Sequence, residues 1–354
     1  MKILAIETSC DETAIALLEI EGGLVQPSIK VLGNTLLSQV ALHEQYGGVY
    51  PNLAKREHEK NLPTLLEQTL REAGEDTESL QIDCIAVTSG PGLEPALWAG
   101  ITFAEGLSKL WNKPLISVNH MEGHIFSTLY NLDKPLQLPA LALLVSGGHT
   151  ELVYVRDFGN YEIIGRTLDD AVGEAFDKVA RMLGLPYPGG PKISALAQKS
   201  RDKKAEIDFK LPRPMIHSKD LNFSFSGLKT SVLYKIRDTK ENDDSFKEDM
   251  ARAFEDAAID VLTAKTRKAL ETFGTDVKTL IVAGGVSANT RLATALSLLA
   301  ADFPSLTLRL PEKLLTTDNA IMIGIAGFVT ISTNPGILDD QRTIKATGNL
   351  TLNS

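Results

Sequence analysis

Cysteine is scarce in this 354-residue sequence: only Cys10 and Cys84 occur, with no CxxC pair. That excludes a disulfide framework and a cysteine-built zinc site, and it suits a reducing compartment. Positive charge is also short, 36 Lys and Arg against 45 Asp and Glu, for a net charge of −9. A protein that grips nucleic acid with its whole surface is excluded, and only a local basic patch could serve. Long apolar runs are missing as well. The longest uncharged stretch, Asn319 to Leu338, is interrupted by Asn, Thr, Ser, Gly and Pro, so no membrane span is expected. The opening MKILAIETSCDE meets acidic residues at once and lacks the basic start and long apolar core of a signal peptide. A cytoplasmic protein with no membrane association is expected.

What remains is an ordinary globular composition, 43% hydrophobic and 23% charged. The length predicts two domains or one large α/β unit. Short β-branched runs, Ile3 to Ile6, Ile85 to Thr88, Leu115 to Val118, Leu141 to Val145 and Leu280 to Ala283, alternate with segments of helical period. That alternation predicts parallel sheets of the α/β class. Two segments, Ile3 to Ile20 and Leu141 to Val155, each read strand, short polar turn, strand, and the recurrence predicts two similar halves. Thr279 to Leu292 reads as a strand passing Gly284-Gly285 into a helix that Ser287 caps. Tyr50 to Ala73 has the spacing of an amphipathic helix broken near Pro63. Between Lys192 and Lys219, eight Lys or Arg face three acids in a Pro-rich stretch read as irregular, either a solvated loop or a surface for phosphate.

His120-Met121-Glu122-Gly123-His124 follows the strand Leu115 to Val118. On a helix, histidines four apart share a face and can chelate one cation, though the spacing does not reveal a third ligand. Glu122 falls about 200° around from His120, so the general base of a zinc protease is lacking. Two imidazoles plus a carboxylate suit iron(II) or zinc(II) acting as a Lewis acid. Ser146-Gly147-Gly148, Gly284-Gly285 and Tyr187-Pro188-Gly189-Gly190-Pro191 are glycine turns whose amides can face a phosphate, and three of them in an α/β chain point to a nucleotide cleft.

Seven motifs in order, ETSCDETA, NHMEGHI, LVSGGHT, GEAFDKVARMLGLPYPGGP, FSFSGLKT, GGVSANTRL and TDNAIMIG, resemble the TsaD family, the tRNA adenosine threonylcarbamoyltransferases, in its bacterial or organellar form. The resemblance implies the duplicated actin-like, sugar-kinase-like and Hsp70-like ATPase fold (ASKHA), with residues 1–118 plus 320–354 forming one lobe, 119–319 the other, and a nucleotide cleft between them. It implies an acyltransferase that moves a threonylcarbamoyl group from threonylcarbamoyl-adenylate to N6 of adenosine 37, in tRNAs reading codons that start with A, and releases AMP. His120, His124 and Asp318 are the implied ligands of one divalent metal, iron(II) ahead of zinc(II). Leu144, Val145, Ser146, Gly147, Gly148, Asp177, Gly190 and Asn289 are the implied contacts for the adenylate or ATP-type nucleotide. Asp11, Glu12 and His149 are candidates for the polar wall near phosphate and metal. Ser194 stands where many members carry an acidic ligand contact. A small paralogous subunit and an ATPase are the implied partners beside tRNA. A small-molecule kinase or a regulatory ATPase of the same fold would need no such metal set, and the older glycoprotease label is disfavoured by Glu122.

Overall fold

The computed structural model describes residues 1–77, 80–204, 206–239, 243–339 and 343–352. In chain order the elements are β1 (Lys2–Glu7), β2 (Glu12–Glu21), β3 (Ser28–Ser38), α1 (Val40–His43), α2 (Pro51–Glu72), β4 (Cys84–Gly90), α3 (Glu94–Trp111), β5 (Leu115–Asn119) and α4 (His120–Phe126). There follow β6 (Ala140–Val145), β7 (Thr150–Asp157), β8 (Asn160–Arg166), α5 (Val172–Met182), α6 (Gly189–Asp202), α7 (Ser226–Asp238) and α8 (Asp244–Phe273). Last come β9 (Thr279–Ala283), α9 (Thr290–Ala301), β10 (Thr307–Arg309) and α10 (Ala320–Thr333).

Contacts divide the chain into a first unit, Met1–Gln137 with Arg156–Tyr161 and Pro311–Ser354, and a second, Leu138–Val155 with Glu162–Leu310. The family resemblance implies changes of lobe at 118/119 and 319/320. The contacts change unit at 137/138 and 310/311, and also at 155/156 and 161/162 around Arg156–Tyr161, so α4 and Asp318 fall in the first unit.

Each unit holds a five-stranded sheet, in the orders β3-β2-β1-β4-β5 and β10-β9-β6-β7-β8. Read from the other edge, the second order is the first repeated, strand for strand. The two predicted hairpins are present: β1 pairs antiparallel with β2, as Ile6 opposite Ile15, and β6 with β7, as Leu143 opposite Leu152. β1, β4 and β5 run parallel, with Ile3 opposite Cys84 and Thr88 opposite Val118, and β6 runs parallel to β9. Parallel strands covered on both faces read as continuous apolar runs, and β1, β4, β6 and β9 are buried along almost their whole length.

The first core joins Leu4, Ile6, Leu17 and Val87 to Leu62, Leu66 and Ile101 of α2 and α3. The second joins Leu141, Leu143 and Val282 to Phe176, Phe254 and Leu296 of α5, α8 and α9. Each fully buried Leu or Ile contributes about 1.5–3 kcal/mol relative to exposure. α10 is apolar all round because it is buried all round, and Gly324 lets it sit so close to the sheet that a Cβ there would lie 2.4 Å from Leu18 Cδ1. Its 14 residues are too few to cross a bilayer, and no helix among the described residues is long and apolar enough to do so.

Two local expectations are corrected. α2 continues through Pro63, whose ring is exposed and whose missing N–H leaves a carbonyl one turn back that water can satisfy. α9 is capped by Asn289, whose Oδ1 accepts from Leu292 N at 2.9 Å, while Ser287 lies in the preceding 3-10 turn and its hydroxyl meets no partner among the described residues.

Candidate functional site

In the first unit the carboxyl ends of β1, β4 and β5 lie side by side, the edge where open α/β sheets place ligands. The turn out of β5 is fixed by Asn119, whose Oδ1 accepts from Met121 N at 2.9 Å and starts α4. One helical turn then sets His120 and His124 on the same face, with ring centroids 4.7 Å apart. Asn319 caps α10 in the same manner and holds Asp318 just ahead of that helix. Asp318 Oδ1 lies 3.3 Å from Nε2 of both histidines, and the three ligand atoms fall within 4.8 Å of one another.

His124 is fully buried, yet neither ring nitrogen makes an aligned hydrogen bond among the described residues. A buried imidazole without a partner costs free energy unless something else meets its lone pair, and a cation between His120, His124 and Asp318 would do so. The donor set therefore fits a divalent metal with positions left open. The electrostatics agree. Burial would raise the Asp318 carboxyl, but His120 overrides it and holds the group well below the usual carboxylate range. Burial alone would lower His120, but Asp318 and Glu7 hold it well above the ordinary imidazole value. Burial outweighs Asp318 at His124 and, with His120 alongside, keeps that ring low.

Around the cluster, Asp11 is 5% exposed, and its Oδ2 makes no aligned hydrogen bond among the described residues. Burial, then Asp318 and Asp11, push Glu12 well above the carboxylate range. Glu122 turns to Tyr161, away from the cluster, as its helical position predicts, and burial raises it.

The predicted nucleotide contacts lie in the second unit. Leu144 and Val145 are fully buried in β6, leaving only backbone for a ligand. Ser146, Gly147, Gly148 and His149 form the β6–β7 turn, closed by Ser146 N donating to His149 O and His149 N to Ser146 Oγ. Gly284 has φ +92°, and a Cβ there would meet Val145 O at 2.5 Å, so the β9 turn packs directly on the β6 turn. Asp177 Oδ1 accepts from Gly189 N at 2.7 Å and fixes the start of α6, where Gly190 sits. Beside Gly147, Gly148, Gly190 and Gly285 a would-be Cβ meets nothing within 4 Å among the described residues beyond its own chain neighbours and local helix backbone, so the space on that side is open to approach. Asn289 Nδ2 donates to Ser194 Oγ at 2.9 Å and to Glu255 Oε1 at 2.8 Å, and Ser194 Oγ donates to the same oxygen at 2.7 Å.

Sequence reasoning missed Glu255 and Glu7. Each carried a signal, an acid set within or at the end of an apolar run: AFEDAA in α8 and ILAIE in β1. The basic segment also differs from its reading. Lys192 to Asp202 is helical in α6, and Arg201 pairs with Glu255 and Asp256, Lys203 with Glu248, and Arg213 with Asp260, all acids of α8. A cavity of about 550 Å³ lined by Arg213, His217, Arg267 and Arg291 contains none of the predicted site residues.

A family model for TsaD, tRNA N6-adenosine threonylcarbamoyltransferase, matches residues 30–325. The chain belongs to this family. It is 47% identical over 341 residues to the tRNA N6-adenosine threonylcarbamoyltransferase of Burkholderia ambifaria strain MC40-6, covering 95% of this chain and 94% of that protein. The relative of Burkholderia cenocepacia strain HI2424 matches to the same extent. Among solved structures, T.kodakarensis HypF matches with a TM-score of 0.58 at 14% identity over 95% of this chain, and a full-length HypF with 0.55 at 12% over 96%. This chain spans about half the length of those HypF chains, 49% and 47%, and the likeness speaks for the α/β fold alone.

Proposed function

We propose that this acyltransferase moves the threonylcarbamoyl group from threonylcarbamoyl-adenylate to N6 of adenosine 37 in tRNAs that read codons starting with A, in the cytoplasm. The bond from N6 to the carbamoyl carbon forms, the bond from that carbon to the phosphate oxygen breaks, and AMP departs with the electron pair. The observation that carries the reading is the His120, His124 and Asp318 cluster, with a buried His124 whose ring nitrogens make no aligned hydrogen bond among the described residues, in a chain 47% identical to named transferases. A kinase or regulatory ATPase of this fold has no use for that set.

His120, His124 and Asp318 would hold one divalent cation, iron(II) ahead of zinc(II), which when bound supplies Lewis-acid polarisation of a donor oxygen. The chain's own contribution is placement. The turn Ser146-Gly147-Gly148 and the open backbone at Gly190 and Gly285 offer amides to the adenylate phosphate, with Leu144 and Val145 lending main chain and Asp177 holding the α6 turn. Asn289, fixed by Glu255 and Ser194, offers a polar edge to the nucleoside. An exocyclic amine is a weak nucleophile, so alignment and oxyanion stabilisation carry most of the rate. Asp11 and Glu12, and separately His149, are proposed as candidates for the polar wall near metal and phosphate. A small paralogous subunit and an ATPase are proposed to assist.

The test is incubation with threonine, bicarbonate, ATP, an adenylate synthase, tRNA and both partners, followed by nucleoside mass analysis. Modified adenosine that depends on this chain and on His124 is the expected result. Unmodified tRNA with every component present and folded would overturn the reading.

A further inference from the structure

Glu7 is fully buried at the end of β1 and has a role that neither the motif resemblance nor the relatives' names assign. One oxygen accepts from the backbone N–H of Ser9, and the other accepts from Thr88 Oγ1 at 2.6 Å. That second oxygen also lies 3.1 Å from Nδ1 of His120. Glu7 thus faces donors on both oxygens, the pattern of a carboxylate rather than a carboxylic acid, and a carboxylate only accepts. The Nδ1 of His120 must then be the donor. Ser9 Oγ, 3.2 Å from the same nitrogen, is the weaker competitor, because a charged acceptor binds an N–H about twice as strongly as a neutral one.

With its proton fixed on Nδ1, His120 presents Nε2 toward Asp318 Oδ1, 3.3 Å away. We propose that Glu7 is the positioning residue of the cluster: held by Ser9 N and Thr88, it fixes the tautomer and ring orientation of His120 so that Nε2 meets the cation. Resting on the metal reading above, this makes the two imidazoles unequal. His124 has no such carboxylate behind it: its Nδ1 is unpartnered among the described residues, and the one carboxylate it faces, Asp318, lies on the Nε2 side with the other ligands. The arrangement follows from the sheet: β1, β4 and β5 are adjacent and parallel, so Glu7, Thr88 and the residue after β5 arrive together. A carboxylate behind a ligating imidazole raises its basicity, and losing one weakens metal binding about 10–100-fold.

Zinc titration by calorimetry on the full chain, wild type and the Glu7→Gln and Glu7→Asp variants, reads the affinity. Nitrogen NMR of histidine-labelled, zinc-loaded wild type reads which ring nitrogen of His120 holds the metal. Zinc on Nε2 with a proton retained on Nδ1, about 10–100-fold weaker binding in Glu7→Gln and partial recovery in Glu7→Asp are expected. Zinc on Nδ1 in the wild type, which needs no variant to fold, overturns the proposal, as does unchanged affinity in a folded Glu7→Gln. Failure of the wild type to bind zinc or iron(II) at all would instead overturn the metal reading on which this rests.

Discussion

The two sheets repeat one strand order, but the ends of equivalent strands carry opposite chemistry. In the first unit β1 ends on Glu7, β4 carries Thr88, and β5 runs into His120, all side chains that offer or orient lone pairs. In the second unit β6, the counterpart of β1, ends on Val145 and turns through Ser146-Gly147-Gly148, while β9, the counterpart of β4, meets Gly284-Gly285. Imidazoles and carboxylates suit a cation, and amides freed by glycine suit an anion. One edge architecture, used twice, is thus specialised by a few residues at the strand ends.

The largest effect expected from breaking this comparison is at His124. His124→Ala removes one of three ligands and should weaken metal binding by more than about 100-fold, beyond the range for losing an orienting partner. Elemental analysis of purified variant protein checks it, and full occupancy would remove His124 from the centre.

The glycine turns sharpen the comparison in the other unit. Gly284→Ala forces a Cβ to within 2.5 Å of Val145 O at φ +92° and should cost about 2–3 kcal/mol of stability in urea unfolding. Gly148→Val meets open space and should leave the fold nearly unchanged, while adenylate affinity falls about tenfold as the side chain blocks approach to the amides. Equal stability losses for the two would make both plain turn glycines.

Asp169 gives a smaller effect. It accepts from Ser224 Oγ, Phe225 N, Ser226 N and Ser226 Oγ, and so caps α7 from another part of the chain. Burial would raise its carboxyl, but these hydrogen bonds hold it below the usual value. Its folded pKa being the lower one, its contribution is complete above an ordinary carboxylate pKa of about 4 and is lost as pH falls through the folded value. Asp169→Ala should cost about 1 kcal/mol at pH 6, and the cost should shrink as the pH falls below the ordinary carboxylate range. A difference that does not shrink with acid would contradict the cap.

The smallest effects concern tRNA. Lys203 is paired with Glu248, whereas Lys204 makes no ion pair among the described residues. Charge reversal at Lys204 should raise the Michaelis constant for tRNA at low salt more than reversal at Lys203, which should chiefly lower stability by setting two acids together. Equal, salt-independent kinetics would place the tRNA elsewhere.

What could be read in advance was local. The strand runs, the two hairpins and the HxxxH helix follow from periods of 2 and 3.6 within short windows, and all are present. Ligation by Asp318 came from motif resemblance, because no spacing rule connects α4 to the residue before α10. The cap of α7 by Asp169, the bond from Glu7 to His120 and the pairing of the basic segment with α8 are tertiary: an acid in an apolar run flags Glu7 and Glu255 as residues, but nothing in the neighbouring sequence names their partners. Charge counting along the chain overstated the basic patch for the same reason: the acids that pair with it arrive from a helix some 50 positions later, as Arg201 with Glu255 shows.

If the two repeats hold different ions, zinc titration of three proteins side by side, wild type, His124→Ala and Gly285→Val, separates them. One zinc per chain is expected in the wild type and in Gly285→Val with similar affinity, and loss of binding in His124→Ala. Loss in both variants, or retention in both, would contradict that division.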